Sequence, residues 1–135
     1  MTVDDADDLR ALVRTVLESN DFDVIEAASG RAALDLLAAG IHPDVIVLDV
    51  QMPDLDGWDT LAAIRADPGT AEVAVVLCTV RAAQADIDRG WRLGCDGFLP
   101  KPFAIDQLAR TVLEVSGRSV DERAALRIEH QTATT

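Results

Sequence analysis

Residues 45–48, Val-Ile-Val-Leu, form a short unbroken apolar run, closed by Asp49. A continuous run of this kind is the mark of a strand buried on both faces, and strands of that type belong to parallel sheets covered by helices. The rest of the chain supplies the covering. Leu9, Leu12, Val13, Val16 and Leu17 fall at helical spacing over residues 9–17. Residues 22–27 (FDVIEA) read as a second strand. Ser29 and Gly30 open a helix that runs to about Ala39 and is ended by Gly40. After the central run, Gln51 to Gly57 (QMPDLDG) is a loop of turn residues. A third helix follows from about Trp58 to Ala66. Residues 73–78 (VAVVLC) read as a fourth strand. A helix over 82–92 is anchored by Ile87 and Trp91, and 95–99 (CDGFL) is a fifth strand. The last core helix spans about Ala104 to Val115, with Ile105, Leu108, Val112 and Val115 inward.

The pattern is an α/β alternation of five strand–helix units. Right-handed crossovers leave the doubly wound order 2-1-3-4-5 as its natural parallel sheet. In such sheets ligands bind at the carboxyl ends of the strands, beside the reversal between strands 1 and 3. Chemistry is therefore sought directly after each strand.

Four strand ends carry complementary polar groups. Strand 1 ends at Asp4-Asp5, strand 3 at Asp49, strand 4 is followed by Thr79, and strand 5 by Lys101. In the expected order strands 1, 3, 4 and 5 are neighbours, so these groups line one cleft. Three carboxylates together repel one another until a proton or a cation relieves them. Oxygen donors in compact geometry point to Mg²⁺, with Mn²⁺ as a substitute. A hydroxyl, an ammonium and a carboxylate around such an ion describe a site that takes a phosphoryl group onto a carboxylate. Taken singly, each residue has a duller role. Asp4 and Asp5 are candidate caps of the first helix, Asp49 a candidate cap of the third, Thr79 a loop hydroxyl and Lys101 a surface cation.

The stretches VDDADDLRALVRTVLE, PDVIVLDVQMPDLDGWDTL and FLPKPF resemble the signatures of response-regulator receiver domains, over residues 1 to about 116. The resemblance implies a flavodoxin-like fold and a phosphorylation switch with Asp49 as phosphoacceptor. It implies Asp5 as a direct metal ligand, Asp4 acting largely through water, and the backbone carbonyl of Gln51 as a further contact. Thr79 and Lys101 are implied to bind phosphoryl oxygens, and Phe98 to be the aromatic that moves when Thr79 is drawn to the phosphate. Gln51 and Arg81 are implied to flank the approach of hydrolytic water. The implied donor is a histidine kinase or a histidine phosphotransfer protein. The implied output is a partner docking on the face of helix 4, strand 5 and helix 5. The protein is expected as a monomer or a phosphorylation-linked homodimer. A cis peptide is expected between Lys101 and Pro102. Departures from the pattern are a shortened strand 1, with only Met1, Thr2 and Val3 before the acids, Val80 after Thr79, and Ala6 and Asp7 after the acidic pair.

Composition narrows the function classes. The net charge of −12 repels phosphate backbones, which disfavours direct nucleic-acid binding and anionic membranes. No apolar run approaches the ~20 residues of a membrane span, and the acidic start is unlike a signal peptide, so a cytoplasmic location is expected. Cys78 and Cys95 lie in no metal or redox motif and read as small buried apolar residues in strands, without a disulfide. His42 and His130 read as surface residues. Residues 117–135 form a tail, with Val120, Ala124 and Ile128 spaced for a short amphipathic helix and a frayed QTATT end. The competing readings are a phosphorylation-independent pseudo-receiver, an aspartyl phosphatase and a flavodoxin-like cofactor carrier. The phosphatase wants a second acid where Gln51 stands, and the carrier a Gly-rich loop that is missing after strand 1.

Overall fold

The computed structural model describes residues 1–133. In chain order the elements are β1 (Thr2–Val3), α1 (Asp7–Glu18), β2 (Glu26–Ala27), α2 (Gly30–Ala38), β3 (Val45–Asp49), α3 (Gly57–Ala66), β4 (Ala74–Thr79), α4 (Gln84–Leu93), β5 (Gly97–Pro100), α5 (Ile105–Ser116) and α6 (Val120–Ala133). The strands form one parallel sheet in the order β2-β1-β3-β4-β5. This is the doubly wound, flavodoxin-like α/β arrangement expected from the alternation.

The sheet divides the core in two, because successive side chains of a strand point to opposite faces. Ile46 and Leu48 of β3 pack with Leu37, Trp58, Leu61, Ile64 and Trp91 from α2, α3 and α4. Val45 and Val47 pack on the other face with Val13, Val16, Leu17, Leu108, Val112 and Val115 from α1 and α5. Ile46 and Leu48 have no exposure at all. Full burial of such a side chain is worth about 1.5–3 kcal/mol, so the unbroken run is what both layers need.

The ends of the sheet differ from the expectation. The strand expected over 22–27 is reduced to Glu26–Ala27. Its partner sets that limit: β1 has two residues, which pair as Thr2 with Glu26 and Val3 with Ala27. Beyond them only the Thr2 N–H to the Ile25 carbonyl and the Asp4 N–H to the Ala27 carbonyl continue the pairing. On the β3 side Met1 extends the short strand. Its amino group donates to the Val45 carbonyl at 2.9 Å, and its carbonyl accepts from the Val47 N–H at 2.9 Å. Groups of β3 that a stunted strand 1 threatened to orphan are thereby paired.

Ile105 of α5, expected inward, is 57% exposed, and Leu12 of α1, though at helical spacing with the apolar set, is 42% exposed. Each sits at the edge of its helix's apolar stripe, whose other members Val13, Val16 and Leu17 in α1 and Leu108, Val112 and Val115 in α5 are buried. Cys78 lies in β4, whereas Cys95 lies in the turn before β5; both are buried and free. The Lys101–Pro102 peptide is cis.

The tail departs most. A capping box starts α6: the Glu122 N–H donates to Ser119 Oγ at 3.1 Å and the Ser119 N–H to Glu122 Oε1 at 3.0 Å. The helix then continues to Ala133, so the first three residues of QTATT are helical and the last two lie outside the described residues. Its expected apolar stripe faces outward, with Val120 39% and Ile128 62% exposed. The docked face is polar, and the reason is Asp96. That carboxylate, fully buried at the entry to β5, binds Arg65 of α3 at 2.9 Å, Arg123 at 3.6 Å and Arg127. A buried charge without partners is far costlier than two half-exposed apolar side chains. His130 is exposed, as expected, and its ring stacks on Trp91 of α4 at 3.7 Å.

Candidate functional site

Parallel strands bring their carboxyl ends to one edge, and there the polar residues meet. Asp4 directly follows β1 and is 6% exposed. Its Oδ1 accepts from the Ala6 N–H at 2.9 Å, and its Oδ2 accepts from Lys101 Nζ at 3.2 Å. Asp49 is the last residue of β3, 5% exposed, and its Oδ1 accepts from Lys101 Nζ at 3.1 Å and from the Gln51 N–H at 3.4 Å. Asp5 is exposed at the rim. Carboxylate oxygens of Asp4, Asp5 and Asp49 all lie within 4.8 Å of one another, so the cluster has the dimensions to hold a metal ion.

The capping roles open to these acids are not taken. The residue preceding α1 is Ala6, without a side-chain cap, and α3 is capped by Asp56, which accepts from the Asp59 N–H at 2.9 Å. Asp4 and Asp49 thus keep oxygens for the cleft.

Thr79 falls inside β4, as its last residue, rather than after it. It is fully buried, and its Oγ1 accepts from the Arg81 N–H at 3.0 Å. That bond uses a lone pair and leaves the hydroxyl proton free to donate. The Lys101 N–H donates to the Thr79 carbonyl at 2.8 Å, so the lysine and threonine backbones are tied together beside the acids. Gln51 is exposed, two residues past Asp49. Phe98 is half-buried on β5 and packs on the α3–α4 side of the core. Gly57 matters locally: a Cβ there would lie 2.4 Å from the Asp49 carbonyl oxygen and 2.5 Å from Val50 Cα. Only glycine lets the start of α3 seat against the backbone of Asp49.

The electrostatics follow from crowding. Burial, and then the neighbouring Asp4 charge, push the Asp49 carboxyl above its ordinary range, although Lys101 opposes both. Burial works against the Lys101 charge, but Asp49 and Asp4 outweigh it and hold the ammonium above its usual range. One ammonium among three carboxylates leaves an excess of negative charge in the cluster. The concavities of about 290 and 550 Å³ lie at the opposite edge, around His42, Pro43 and Asp44, and share no residue with the acids.

Sequence reading passed over Asp96 and its three arginines. The signals were present as an acid at the mouth of an apolar strand and Arg123 and Arg127 four residues apart. The Ser119-x-x-Glu122 capping box that starts α6 was equally legible.

Comparison with known proteins agrees with this geometry. The family model described as "Response regulator receiver domain" matches residues 1–113. Over 119 residues the chain is 40% identical to the transcriptional regulatory protein CpxR of Escherichia coli, covering 88% of this chain and 49% of CpxR. It is 35% identical over 126 residues to the response regulator MprA of Mycobacterium tuberculosis, covering 93% of this chain and 53% of MprA. The chain thus spans about half the length of these relatives. Among solved structures, the receiver domain of the Francisella response regulator 1452 superposes with a TM-score of 0.80 at 31% identity, covering 87% of this chain and 94% of that one. Vibrio cholerae chemotaxis protein CheY4 superposes with a TM-score of 0.78 at 31% identity, covering 84% and 94%. With five parallel strands in this order and acids gathered at their carboxyl ends, the chain belongs to the response regulator receiver domain family.

Proposed function

We propose that the protein is a phosphorylation-dependent signalling switch whose phosphoacceptor is Asp49. The observation that carries this reading is the Asp49 carboxylate itself: nearly buried, held by Lys101 at 3.1 Å, and within 4.8 Å of two further acids. A purely structural acid has no use for two more carboxylates beside it.

The residues fit a divalent cation. Asp4, Asp5 and Asp49 offer hard oxygen donors at suitable separation, and the excess negative charge calls for one. Asp5 and Asp49 would bind Mg²⁺ directly, Asp4 largely through water, and the Gln51 carbonyl would complete the protein contribution; Mn²⁺ would serve as a substitute. When bound, the ion neutralises the carboxylates and the phosphoryl oxygens.

In the transfer, an Asp49 oxygen attacks the phosphorus of a phosphohistidine on a histidine kinase or phosphotransfer protein. The new O–P bond forms as the P–N bond breaks, and the electron pair leaves with the imidazole nitrogen, which is reprotonated. Lys101 turns its ammonium from Asp49 to a phosphoryl oxygen, and the free Thr79 proton is donated to another. These charge-assisted bonds are among the stronger kinds. Phe98 then takes up space that Thr79 vacates, and a partner reads the change on the face of α4, β5 and α5. The switching unit in this reading is residues 1–116, with 117–135 as an appendage. It acts as a monomer or a phosphorylation-linked dimer. With a net charge of −12, output goes through a protein partner rather than by direct contact with DNA. No helix among the described residues is long and apolar enough to cross a membrane, and a cytoplasmic site of action is the natural setting.

The test is incubation with acetyl phosphate and Mg²⁺, followed by intact mass. One base-labile phosphoryl group is expected on the wild type and none on Asp49→Asn. Equal labelling of the Asn variant would place the acceptor elsewhere. An unlabelled wild type would instead favour a phosphorylation-independent interaction module.

A further inference from the structure

We infer that α6 is an intramolecular strap on α4, and that its docking and the phosphorylation of Asp49 oppose each other. The inference rests on the switch proposed above, but its anchor points are separate from the acidic site. The helix lies beyond residues 1–113, where the family match ends.

The strap has two footings. At the amino edge of the sheet, Arg123 donates to the Glu72 carbonyl at 2.9 Å, just before β4, and Arg127 pairs with Asp96, just before β5. Asp96 is held rigidly in turn, accepting from the Val75 N–H and from Arg65, each at 2.9 Å. At the other footing α6 grips α4. The His130 ring lies 3.7 Å from the Trp91 ring at an interplanar angle of 8°, and the Gln131 amide donates to the Trp91 carbonyl at 2.9 Å. One end of α6 is therefore tied to the sheet, and the other meets α4 at Trp91.

That residue adjoins the line from Asp49. The Thr79 Oγ1 holds the Arg81 N–H, and the chain enters α4 at Gln84, three residues on. A phosphoryl group on Asp49 adds acceptor oxygens beside Thr79. Rotation of the hydroxyl toward them changes its hold on Arg81 and shifts the segment that leads into α4. The helix cannot absorb this freely, because Gly90 is seated tightly on the sheet. A Cβ there would lie 3.0 Å from Leu77 Cδ1 and 3.2 Å from Phe98 Cδ2. On its other flank α4 is tied to α3 by Arg89, whose guanidinium carbon lies 4.6 Å from the centre of the Trp58 ring. A shift of α4 over Phe98 moves Trp91, the residue after Gly90, against His130. Packed contacts of this kind hold discrete arrangements rather than sliding continuously. The docked α6 accompanies the arrangement in which Thr79 Oγ1 holds the Arg81 N–H, so whatever displaces α4 from that arrangement weakens the docking. Linkage makes the effect reciprocal: loosening α6 favours the phosphorylated state by the same factor.

Amide exchange on the full chain tests this, with and without acetyl phosphate and Mg²⁺ and with intact mass to follow labelling. On labelling, protection across 120–133 is expected to fall roughly three- to tenfold, the range of one aromatic stack. Asp49→Asn should show no change. His130→Ala, at an exposed position, should loosen α6, raise exchange across 84–101 and speed labelling about threefold. Full labelling with unchanged protection of α6 would overturn the strap. So would a His130→Ala variant whose α6 or α4 exchange stays at the wild-type level. If the wild type takes no label, the proposed function fails, and the exchange of 84–101 in His130→Ala still decides whether α6 restrains α4.

Discussion

Gly57→Ala is a steric test of how the candidate phosphoacceptor is positioned. The added methyl would meet the Asp49 carbonyl oxygen at 2.4 Å and Val50 Cα at 2.5 Å. Ordinary contacts at those atoms are about 1 Å longer, so either α3 lifts from β3 or the 49–50 peptide shifts by that amount. Overpacking against backbone falls at the upper end of the ~1–3 kcal/mol range. Alanine regains about 1 kcal/mol over glycine in a helix, which leaves a net loss of about 2 kcal/mol. For a chain of this length the unfolding entropy is about 0.28 kcal/mol/K, so the melting temperature should fall by about 7 °C. A displacement of ~1 Å at a reacting group can cost up to ~10² in rate, and labelling by acetyl phosphate should slow by at least tenfold. Calorimetry at pH 7 and a labelling time course read the two effects. A melting temperature within 2 °C of the wild type, with an unchanged labelling rate, would refute the reasoning, because it would mean the close approach of α3 is not a constraint.

Three further outcomes are expected. Burial and then Asp4 raise the Asp49 carboxyl, so its ionised form weakens the fold, and stability is lost as pH rises from the ordinary carboxylate range through the raised folded value. Metal-free Asp49→Asn should therefore be more stable than the wild type at pH 7 and should lose stabilisation by Mg²⁺; urea titrations showing the variant less stable would contradict this. Burial pushes the Cys78 thiol up to about 12 and raises Cys95 further, so iodoacetamide at pH 8 should modify neither in the native protein and both in denaturant, as read by intact mass. Arg81 is exposed two residues beyond Thr79, and Arg81→Ala should shorten the lifetime of the phosphorylated state several-fold if its guanidinium shields the phosphoryl group; an equal or longer decay time after removal of the donor excludes shielding.

What the sequence determined by itself was local patterning and the edge at which chemistry gathers. The unbroken run at 45–48 requires cover on both faces, the alternation around it requires crossovers, and crossover handedness restricts the orders to a few, of which the doubly wound 2-1-3-4-5 is the one observed. Because parallel strands all end at the same edge, acids written after strands 1 and 3 and a lysine after strand 5 had to converge, and Asp4, Asp49 and Lys101 do so within 3.2 Å. Lengths and faces were another matter. β2 is only as long as the two residues of β1 that pair with it, a limit set by a segment more than twenty residues away. Ile105 looks inward by spacing, but the width of the buried stripe depends on which neighbours close over it. For α6 the apolar spacing of Val120, Ala124 and Ile128 marked a helix but not which face docks. The winning interaction was the demand of the buried Asp96 charge for Arg123 and Arg127, and a charge becomes that expensive only once the tertiary structure has taken it out of water.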